Sequence, residues 1–331
     1  MTTLVVDRQG AHLRKDGARL LVRCADETVE STPIESLEQV VLVGRGVNAT
    51  TPLHYDLIRR GIDVVYLSQN GHFAFRLSGP LAKHSALRTR QVFVAADPEH
   101  ALALARAVVE GKLQNQETVL GVQGERFGAD LEQAQQVIRQ QIQATHDAKD
   151  VDTLRGYEGY AARAYFGAWR QLIPSEWAFD GRNYHPPRDP VNALLSLGYT
   201  LLLQDIVGAV YRVGLDPTIG FFHAIDYGRP SLALDVEEEF RPIIIDTMVL
   251  DLLRQKAFVP GDFVTSDSAV LLHDEARHFF LQRYQDRLRV QVRYTKWEQN
   301  LTYRQCLVYQ VEHMARCILE RDVRYQPLVL L

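Results

Sequence analysis

Residues 221–242 read FFHAIDYGRPSLALDVEEEFRP, and they place one histidine, His223, ahead of a predicted helix rich in acidic residues. The acidic residues of its first turns are Asp235, Glu237, Glu238 and Glu239. Positions three apart share a helical face, so Asp235 and Glu238 are expected to point the same way and Glu237 elsewhere. Carboxylates this close repel one another unless a cation neutralises them, and a single divalent metal ion can do so. The histidine can supply a nitrogen to the same ion.

Pro242 predicts a bend at the end of this helix. The residue has no backbone N–H, so the carbonyl of Glu238 loses its helical partner and the proline ring crowds it. One interpretation is a helix distorted beside a functional site. The other is a solvated acidic face that ends at a proline kink, and this segment alone does not decide between them.

A second candidate carboxylate lies upstream, in LRGYEGYAARAYFGAWR at residues 154–170. Apolar and aromatic residues recur there at helical spacing, which predicts a helix packed along one stripe. Glu158 lies among small and apolar residues, where a carboxylate is costly unless it is paired or bound to metal. Nearby glycines lower helix propensity by about 1 kcal/mol each, so a close backbone approach is expected. The alternative is a surface glutamate that pairs with Arg155 or Arg163.

Several blocks of this sequence, taken in order, resemble the signature of one protein family. They read GYEGYAARAYF at 156–166, PPRDPVNALLSLGYTLL at 186–202 and GFFHAIDYGRPSLALDVEEEFRP at 220–242, with KLQNQETVL at 112–120 and RQCLVYQVEHMARCI at 304–318. This pattern is similar to that of the CRISPR-associated adaptation integrases, metal-dependent DNA endonucleases that insert new spacers into CRISPR arrays. The likeness extends over nearly the whole chain.

The resemblance implies a metal-binding and catalytic triad at Glu158, His223 and Glu238. The family pattern runs Asp, two residues, then the acidic ligand before Phe-Arg-Pro, and alignment on Asp235 and on that tripeptide selects Glu238. The residue before it is usually apolar in the family and is Glu237 here, so Glu237 and Asp235 stay open as alternative ligands. If Asp235 is not itself a ligand, it is expected to hydrogen-bond to one of the ligands and so orient it.

Two carboxylates and one imidazole suit Mg²⁺ or Mn²⁺. The expected reaction is phosphoryl transfer at double-stranded DNA, an in-line displacement with a DNA 3′-hydroxyl or water as nucleophile. The residues expected to contact DNA phosphates are Arg229, Arg241, Arg163, Lys112 and Arg182. Arg241 has an alternative role, because it can pair with Glu237 or Glu238 one turn back. A different class of protein, a non-catalytic DNA-binding scaffold with a structural divalent metal, also fits these residues.

The composition is that of an ordinary soluble protein. The 331 residues are 46% hydrophobic and 24% charged, enough for two domains and a substantial core. The three cysteines have no CxxC spacing, which argues for a reducing cytoplasm and against a zinc site. No membrane span or signal peptide is expected. The net charge of −4 is unusual for a DNA-binding protein, and predicts binding that is sensitive to salt.

The sequence predicts an α+β fold, with a small β-rich N-terminal domain (residues 1–90) followed by a larger all-helical domain (residues 91–331). Short β-type runs precede residue 90, and Gln69-Asn70-Gly71 between two of them is typical of a hairpin. One short helix is expected near residues 52–60.

After residue 97 the pattern becomes helical, and two Asp-Pro pairs, Asp97-Pro98 and Asp189-Pro190, each predict a helix start. The helix that follows Asp189 is expected to end at Gly214. The family resemblance implies that the β domain dimerises and that the helical domain is catalytic and binds metal and DNA. It also implies a homodimer, two of which are bridged by a small companion adaptation protein.

Overall fold

The chain divides into two units in a computed structural model. The first comprises residues 1–82 and 277–281, and the second comprises residues 83–276 and 282–331. The structure describes residues 2–25, 27–69, 71, 73–79, 84–183, 186–266, 269–294 and 299–330. A β-rich N-terminal region is followed by a helical one, so the expected α+β fold class is confirmed. The first unit includes the short segment 277–281, which a single boundary at residue 90 would assign to the second domain.

Two four-stranded sheets form the first unit. Their strands are β1 (Thr2–Val6), β2 (His12–Asp16), β3 (Arg19–Cys24), β4 (Glu27–Pro33), β5 (Leu37–Val43), β6 (Asn48–Ala49), β7 (Asp63–Leu67) and β8 (Phe73–Leu77). One sheet has the order β1-β5-β7-β8, parallel except for the β7–β8 pair. The other has the order β4-β3-β2-β6, antiparallel except for the β2–β6 pair.

Alternating side chains of these strands build the core of the first unit. Leu13 and Leu20 from one sheet and Val40 and Leu42 from the other are buried in a single cluster with the helix α1 (Thr51–Arg59). The antiparallel β7–β8 pair is the hairpin that the Asn-Gly signal predicts, although Asn70 itself lies outside the described residues. The predicted short helix is likewise present, with Pro52 in its first turn.

The second unit is mainly helical. Its helices are α2 (Ser85–Ala96), α3 (Pro98–Phe127), α4 (Glu132–Thr145), α5 (Val151–Leu172), α6 (Pro190–Val213), α7 (Ser231–Phe240), α8 (Thr247–Arg254), α9 (Asp274–Arg289, part of which belongs to the first unit) and α10 (Tyr303–Leu319). Both Asp-Pro pairs cap helices as predicted, since the carboxylate of Asp97 accepts from the N–H groups of Glu99 and His100, and Asp189 accepts from Asn192.

Helix α2 was not expected from the sequence. Its run QVFV is rich in β-branched and aromatic residues, which read as strand rather than helix. Tertiary contacts override that preference, because buried Gln91 accepts from the N–H of Asp216 and donates to the carbonyls of Asp216 and Ile219. The sequence pattern becomes helical after residue 97, whereas in the structure this helix already begins at Ser85.

The second unit is also not all-helical. Two small antiparallel hairpins interrupt the helices, one formed by β9 (Phe263–Ser266) with β10 (Ala269–Leu272) and one by β11 (Gln291–Tyr294) with β12 (Gln299–Thr302). Each strand has only four residues, so none offers the longer alternation that identifies a strand in sequence.

Helix α6 is largely buried within the second unit. Among the described residues it is long and apolar enough to cross a membrane by length and composition, but most of it is buried inside the protein. It ends at Gly214, whose φ of 95° gives the left-handed cap that the sequence predicts. A β-carbon at this position would lie 2.6 Å from the Cβ of His84, so only glycine fits.

Helix α7 continues as a π-helical segment that contains Pro242. The α-helix ends at Phe240, and a π-helical segment, Arg241–Asp246, leads into α8. This distortion agrees with the bend that Pro242 predicts, because the proline withholds the N–H that an α-helix would need.

The π-helical segment ends at a buried carboxylate held by two tyrosines. Asp246 is 1% exposed, and it accepts from the hydroxyls of Tyr199 at 2.5 Å and Tyr165 at 3.1 Å. These contacts tie the segment to α6 and α5. Burial raises the pKa of Asp246 to about 6, although the hydrogen bonds from Tyr199 and Tyr165 oppose the shift.

We expect Asp246 to make stability depend on pH in a defined direction. Its pKa is higher in the folded protein than its ordinary value of 3.8, so the folded state binds this proton first as the pH falls through about 6. The free energy of unfolding of the wild type, relative to Asp246→Asn, should therefore rise by ~2 kcal/mol between pH 7.5 and pH 4.5. Urea denaturation at the two pH values measures this, and a difference that does not change with pH would contradict it.

Candidate metal centre

The acidic residues of α7 are all buried, not solvated. Asp235 and Glu237 are fully inaccessible, and Glu238 and Glu239 are 2% and 1% exposed. A buried carboxylate is stable only when it is paired or hydrogen-bonded. Each of the four accepts from at least one donor, and these donors come from different parts of the second unit.

Asp235 organises the loop that carries the histidine. Its two oxygens accept from the backbone N–H groups of Phe221, Phe222 and His223 at 2.6, 3.0 and 2.8 Å, and Oδ1 lies 2.8 Å from His223 Nδ1. Because a carboxylate accepts, a neutral imidazole here carries its proton on Nδ1 and keeps a lone pair on Nε2. Gly220 makes room for this clamp, since a β-carbon there would lie 2.8 Å from Asp235 Oδ2.

A lysine lies between the two carboxylates of the predicted triad. Lys112 Nζ, from α3, is 2.5 Å from Glu158 Oε1 on α5 and 2.5 Å from Glu238 Oε2 on α7. His223 Nε2 lies 3.6 Å from the other oxygen of Glu238. Burial alone would lower the pKa of Lys112. The charges of Glu158 and Glu238 raise the pKa by more than burial lowers it, so the pKa lies above its ordinary value and the ammonium stays charged.

Arg241 supplies a second positive charge to the same cluster. Its guanidinium is 2.8 Å from Glu238 Oε1 and 2.6 Å from Glu237 Oε2, and it lies over the ring of Tyr199 at 4.8 Å. Burial raises the pKa of Glu238, but Arg241, Lys112 and His223 outweigh it and bring the value to about 2. For Glu237 burial prevails over Arg241, which leaves its pKa at about 7.

Of the predicted triad, Glu158 and Glu238 therefore meet at Lys112, and His223 lies beside the other oxygen of Glu238. Glu158 pairs with Lys112, not with Arg155 or Arg163, so the surface-pair alternative is wrong. Among the described residues, no three His, Cys, Asp or Glu side chains are close enough to form a preassembled metal cluster. In this arrangement the protein's own cations neutralise the carboxylates.

The alternative ligands are engaged elsewhere. Glu237 faces Arg241, and Asp235 uses both oxygens on the loop 221–223. Glu239 points to another side of α7, where burial raises its pKa to about 7 in spite of hydrogen bonds from Tyr325, Leu328 and Gln310.

The residues expected to contact phosphates fall into two groups. Lys112, Arg241 and Arg182 have internal partners, the last donating to Asn183, Asn192 and Ser196. Arg163 is exposed on α5, and Arg229 is half-buried in the loop before α7. Arg241 thus takes the alternative role, as the partner of Glu237 and Glu238.

Sequence reasoning missed two residues that support the site. Arg155 donates to the carbonyl of Phe222 at 2.7 Å and so connects α5 to the loop before His223. Tyr199 stacks against Arg241 and donates to Asp246. The spacing of Arg155 and Glu158, three residues apart on one helix, was a usable signal for the first. Nothing in the local sequence signals the second.

The glycines near Glu158 have no close neighbour. A β-carbon on Gly156 or Gly159 would meet nothing within 4 Å, so the expectation of a close backbone approach within the chain was wrong. Both glycines lie on the exposed face of α5.

Comparison with known proteins agrees with this fold. The family model described as CRISPR associated protein Cas1 matches residues 4–286. The CRISPR-associated endonuclease Cas1 3 of Thermus thermophilus is 35% identical over 319 residues, which cover 96% of this chain and 94% of that protein.

Two solved structures share the fold. A casposase bound to integration product has a TM-score of 0.88 at 22% identity, covering 98% of this chain and 93% of that one. A Cas6-RT-Cas1–Cas2 complex has a TM-score of 0.83 at 22% identity, covering all of this chain and 36% of the other. The sequence and fold together define a CRISPR-associated endonuclease. The chain belongs to the Cas1 family.

Removing the charge of Lys112 should destabilise the metal-free protein. The substitution Lys112→Met leaves Glu158 and Glu238 facing each other without the ammonium, and loss of one partner from a buried ion pair costs ~3 kcal/mol. Chemical denaturation in the presence of a chelator measures this loss.

Arg126→Met is the matched control. Arg126 lies on the same helix and is also 2.5 Å from its carboxylate partner, Asp251, but that pair is exposed. It should lose less than about 1 kcal/mol. Equal losses in the two variants would show that Lys112 does not stabilise the buried carboxylates.

Proposed function

We propose that this protein is a metal-dependent DNA endonuclease and integrase that inserts DNA fragments as new spacers into a CRISPR array. One observation carries the proposal: the ammonium of Lys112 lies between Glu158 and Glu238, and Nε2 of His223 lies 3.6 Å from the other oxygen of Glu238. Three separate segments of the chain supply these residues. A site built to hold a cation at that point suits chemistry on phosphate oxygens.

The residues present fit a divalent ion. Two carboxylates and an imidazole nitrogen with a free lone pair are the donor set that Mg²⁺ or Mn²⁺ accepts. Among the described residues, the buried Oε2 of Glu238 has no hydrogen bond of ordinary geometry, although Lys112 lies close to it. Glu158, His223 and Glu238 would hold the ion, which when bound would polarise the scissile phosphate and stabilise the attacking and leaving oxygens.

The surrounding residues prepare these three for that task. Asp235 fixes the imidazole so that Nε2 faces Glu238. Arg241 keeps Glu238 ionised, as a ligand must be. Lys112 holds the carboxylates together before the ion binds, and once released from them it can contact a phosphate oxygen.

The exposed face of α5 is the surface where DNA would lie. Beside Glu158 it presents Gly156, Gly159 and Arg163, together with Tyr160, which is 56% exposed. The glycines leave a low surface that a sugar-phosphate backbone can approach closely, and Arg163 and Tyr160 offer a phosphate contact and a stacking surface. Arg229 lies in the loop between His223 and α7 and is the other available phosphate contact.

The assembly follows from the same family membership. We propose a cytoplasmic homodimer in which the β-rich unit dimerises, and a small companion adaptation protein that bridges two dimers. The fold shared with a chain of the Cas6-RT-Cas1–Cas2 complex and with a casposase bound to integration product supports both the companion protein and the DNA. Bridging would add avidity to a chain whose net charge of −4 disfavours DNA binding on its own.

The alternative of a non-catalytic scaffold with a structural metal is disfavoured. A structural ion would be needed to neutralise the buried carboxylates, and Lys112 and Arg241 already do so. A metal at this place would therefore have a catalytic role, not a structural one.

Glu158→Ala, His223→Ala and Glu238→Ala should each abolish Mn²⁺-dependent nicking of supercoiled plasmid. The two glutamate variants should also melt at lower temperature without metal, because Lys112 loses a partner in each. Glu237→Ala, which removes the carboxylate on the other side of Arg241, should retain nicking. Plasmid nicking by Glu238→Ala together with an inactive Glu237→Ala would overturn this choice of ligand.

Arg163→Gln should weaken DNA binding uniformly across sequences, by several-fold, and reduce the slope of log affinity against log salt by about 1. Fluorescence anisotropy over a range of salt concentrations measures both quantities. The control is Arg170→Gln on the same helix, because Arg170 already pairs with Asp180. If both variants, or neither, change the slope, the exposed face of α5 near Glu158 is not the DNA surface.

A further inference from the structure

Glu239, like Glu237, is an acidic residue of α7 that the proposed function does not use, but its partners are different. It follows Glu238 directly, and at roughly 100° per residue it faces a different side of the helix. There it accepts from Tyr325 Oη at 2.6 Å, from the N–H of Leu328 at 2.6 Å, and from Gln310 Nε2 at 2.9 and 3.1 Å. Both carboxylate oxygens are saturated with donors.

Two of these donors belong to residues 325–330, which we call the strap. The strap runs along α3 and is held there by Asn115, which donates to the carbonyl of Leu328 at 2.7 Å and accepts from the N–H of Leu330 at 3.1 Å. Asn115 also donates to the backbone carbonyl of Glu239 at 2.8 Å. One side chain thus joins α3, α7 and the strap.

Gly111 allows the strap to approach α3 closely. A β-carbon at this helical position would lie 2.2 Å from Cβ of Pro327 and 3.7 Å from Cβ of Glu239. A mid-helix glycine is unfavourable by about 1 kcal/mol relative to alanine, so the close contact accounts for its presence. Gly111 immediately precedes Lys112.

The strap and the candidate metal centre therefore meet the same two helices on different faces. On α3, Lys112 contacts Glu238 and, three residues later, Asn115 contacts the Glu239 carbonyl. On α7, Glu238 and Glu239 are adjacent. Any rotation or slide of α7 that breaks the contacts of Glu239 also moves Glu238 relative to Lys112 and His223.

We propose that Glu239 is a positioning residue for the metal centre, and that the strap is the part of the chain that holds it. The proposal rests on the proposed function, because it assigns Glu239 the task of fixing Glu238 as a ligand. A carboxylate buried this deeply needs all its donors, so the rotation of α7 and the seating of the strap are coupled. Glu239 touches neither metal nor DNA in this account and acts through Glu238.

The experiment compares two tyrosines that make the same kind of bond. Tyr325→Phe removes the hydroxyl that donates to Glu239, and Tyr284→Phe removes a buried hydroxyl that donates to Asp205, also at 2.6 Å. The measurements are Mn²⁺ affinity by calorimetry, melting temperature, and kcat and KM for plasmid nicking. Asn115→Ala, which releases the strap from the other side, is a second variant with the same expected outcome should Tyr325→Phe fold poorly.

Both tyrosine variants should lose similar thermal stability. Only Tyr325→Phe should bind Mn²⁺ more weakly, by about five- to tenfold. This loss is near the lower end of what a metal site loses when a residue that hydrogen-bonds behind its ligands is removed. The kcat of Tyr325→Phe should fall at subsaturating Mn²⁺, with KM for DNA within roughly twofold of the wild type, and excess Mn²⁺ should restore it.

If Tyr325→Phe and Asn115→Ala match Tyr284→Phe in Mn²⁺ affinity, Glu239 is only structural and the inference is wrong while the proposed function stands. Wild-type protein that binds no Mn²⁺ would overturn the proposed function and this inference together.

Discussion

The burial of four carboxylates on one ten-residue helix is the constraint on which the second unit depends. Each carboxylate needs donors that α7 cannot supply, and each receives them from elsewhere: the loop 221–223 for Asp235, Arg241 for Glu237, Lys112 and Arg241 for Glu238, and α10 with the strap for Glu239. These contacts hold α3, α10 and the residues around the π-helical segment against α7, and Lys112 also joins α5 to them through Glu158. The apolar core packs around these contacts, but the hydrogen-bonding needs of α7 determine which elements contact it.

In our proposal, a centre assembled in this way binds a metal ion but does not need one to fold. Lys112 pairs with Glu158 and Glu238, and Arg241 pairs with Glu237 and Glu238, so each of these carboxylates has a positively charged partner within the chain. A divalent ion would compete with Lys112 for the same two carboxylates, which ties metal affinity to the strength of that ion pair. Removing a ligand glutamate is therefore expected to lower stability, whereas the sequence alone indicated only repulsion among the acidic residues.

Much of the fold was readable from local signals. The Asp-Pro pairs, Gly214 and the Asn-Gly hairpin act through short-range backbone geometry, and the structure has each helix or hairpin where they predict it. Helix α2 and the short hairpins were missed because tertiary contacts, such as those of Gln91, outweigh a weak or misleading local pattern. At the site, helical spacing and family resemblance identified Glu158, His223 and Glu238 as candidate ligands, which stays a prediction. The roles of Lys112, Tyr199 and Glu239 depend on partners far along the chain, such as Glu158, Asp246 and Tyr325 respectively, which no local pattern encodes.

The most direct test of this account is an anomalous difference map from crystals of the protein grown with Mn²⁺. The account predicts one strong peak per chain, bound by Glu158, Nε2 of His223 and Glu238, with the ammonium of Lys112 moved away from both carboxylates and Asp235 still clamped on the loop 221–223. A peak bound by Glu237 or Asp235 would contradict the choice of ligands. Crystals that show no peak, with Lys112 still between Glu158 and Glu238, would contradict the central claim that this place in the protein is a metal site.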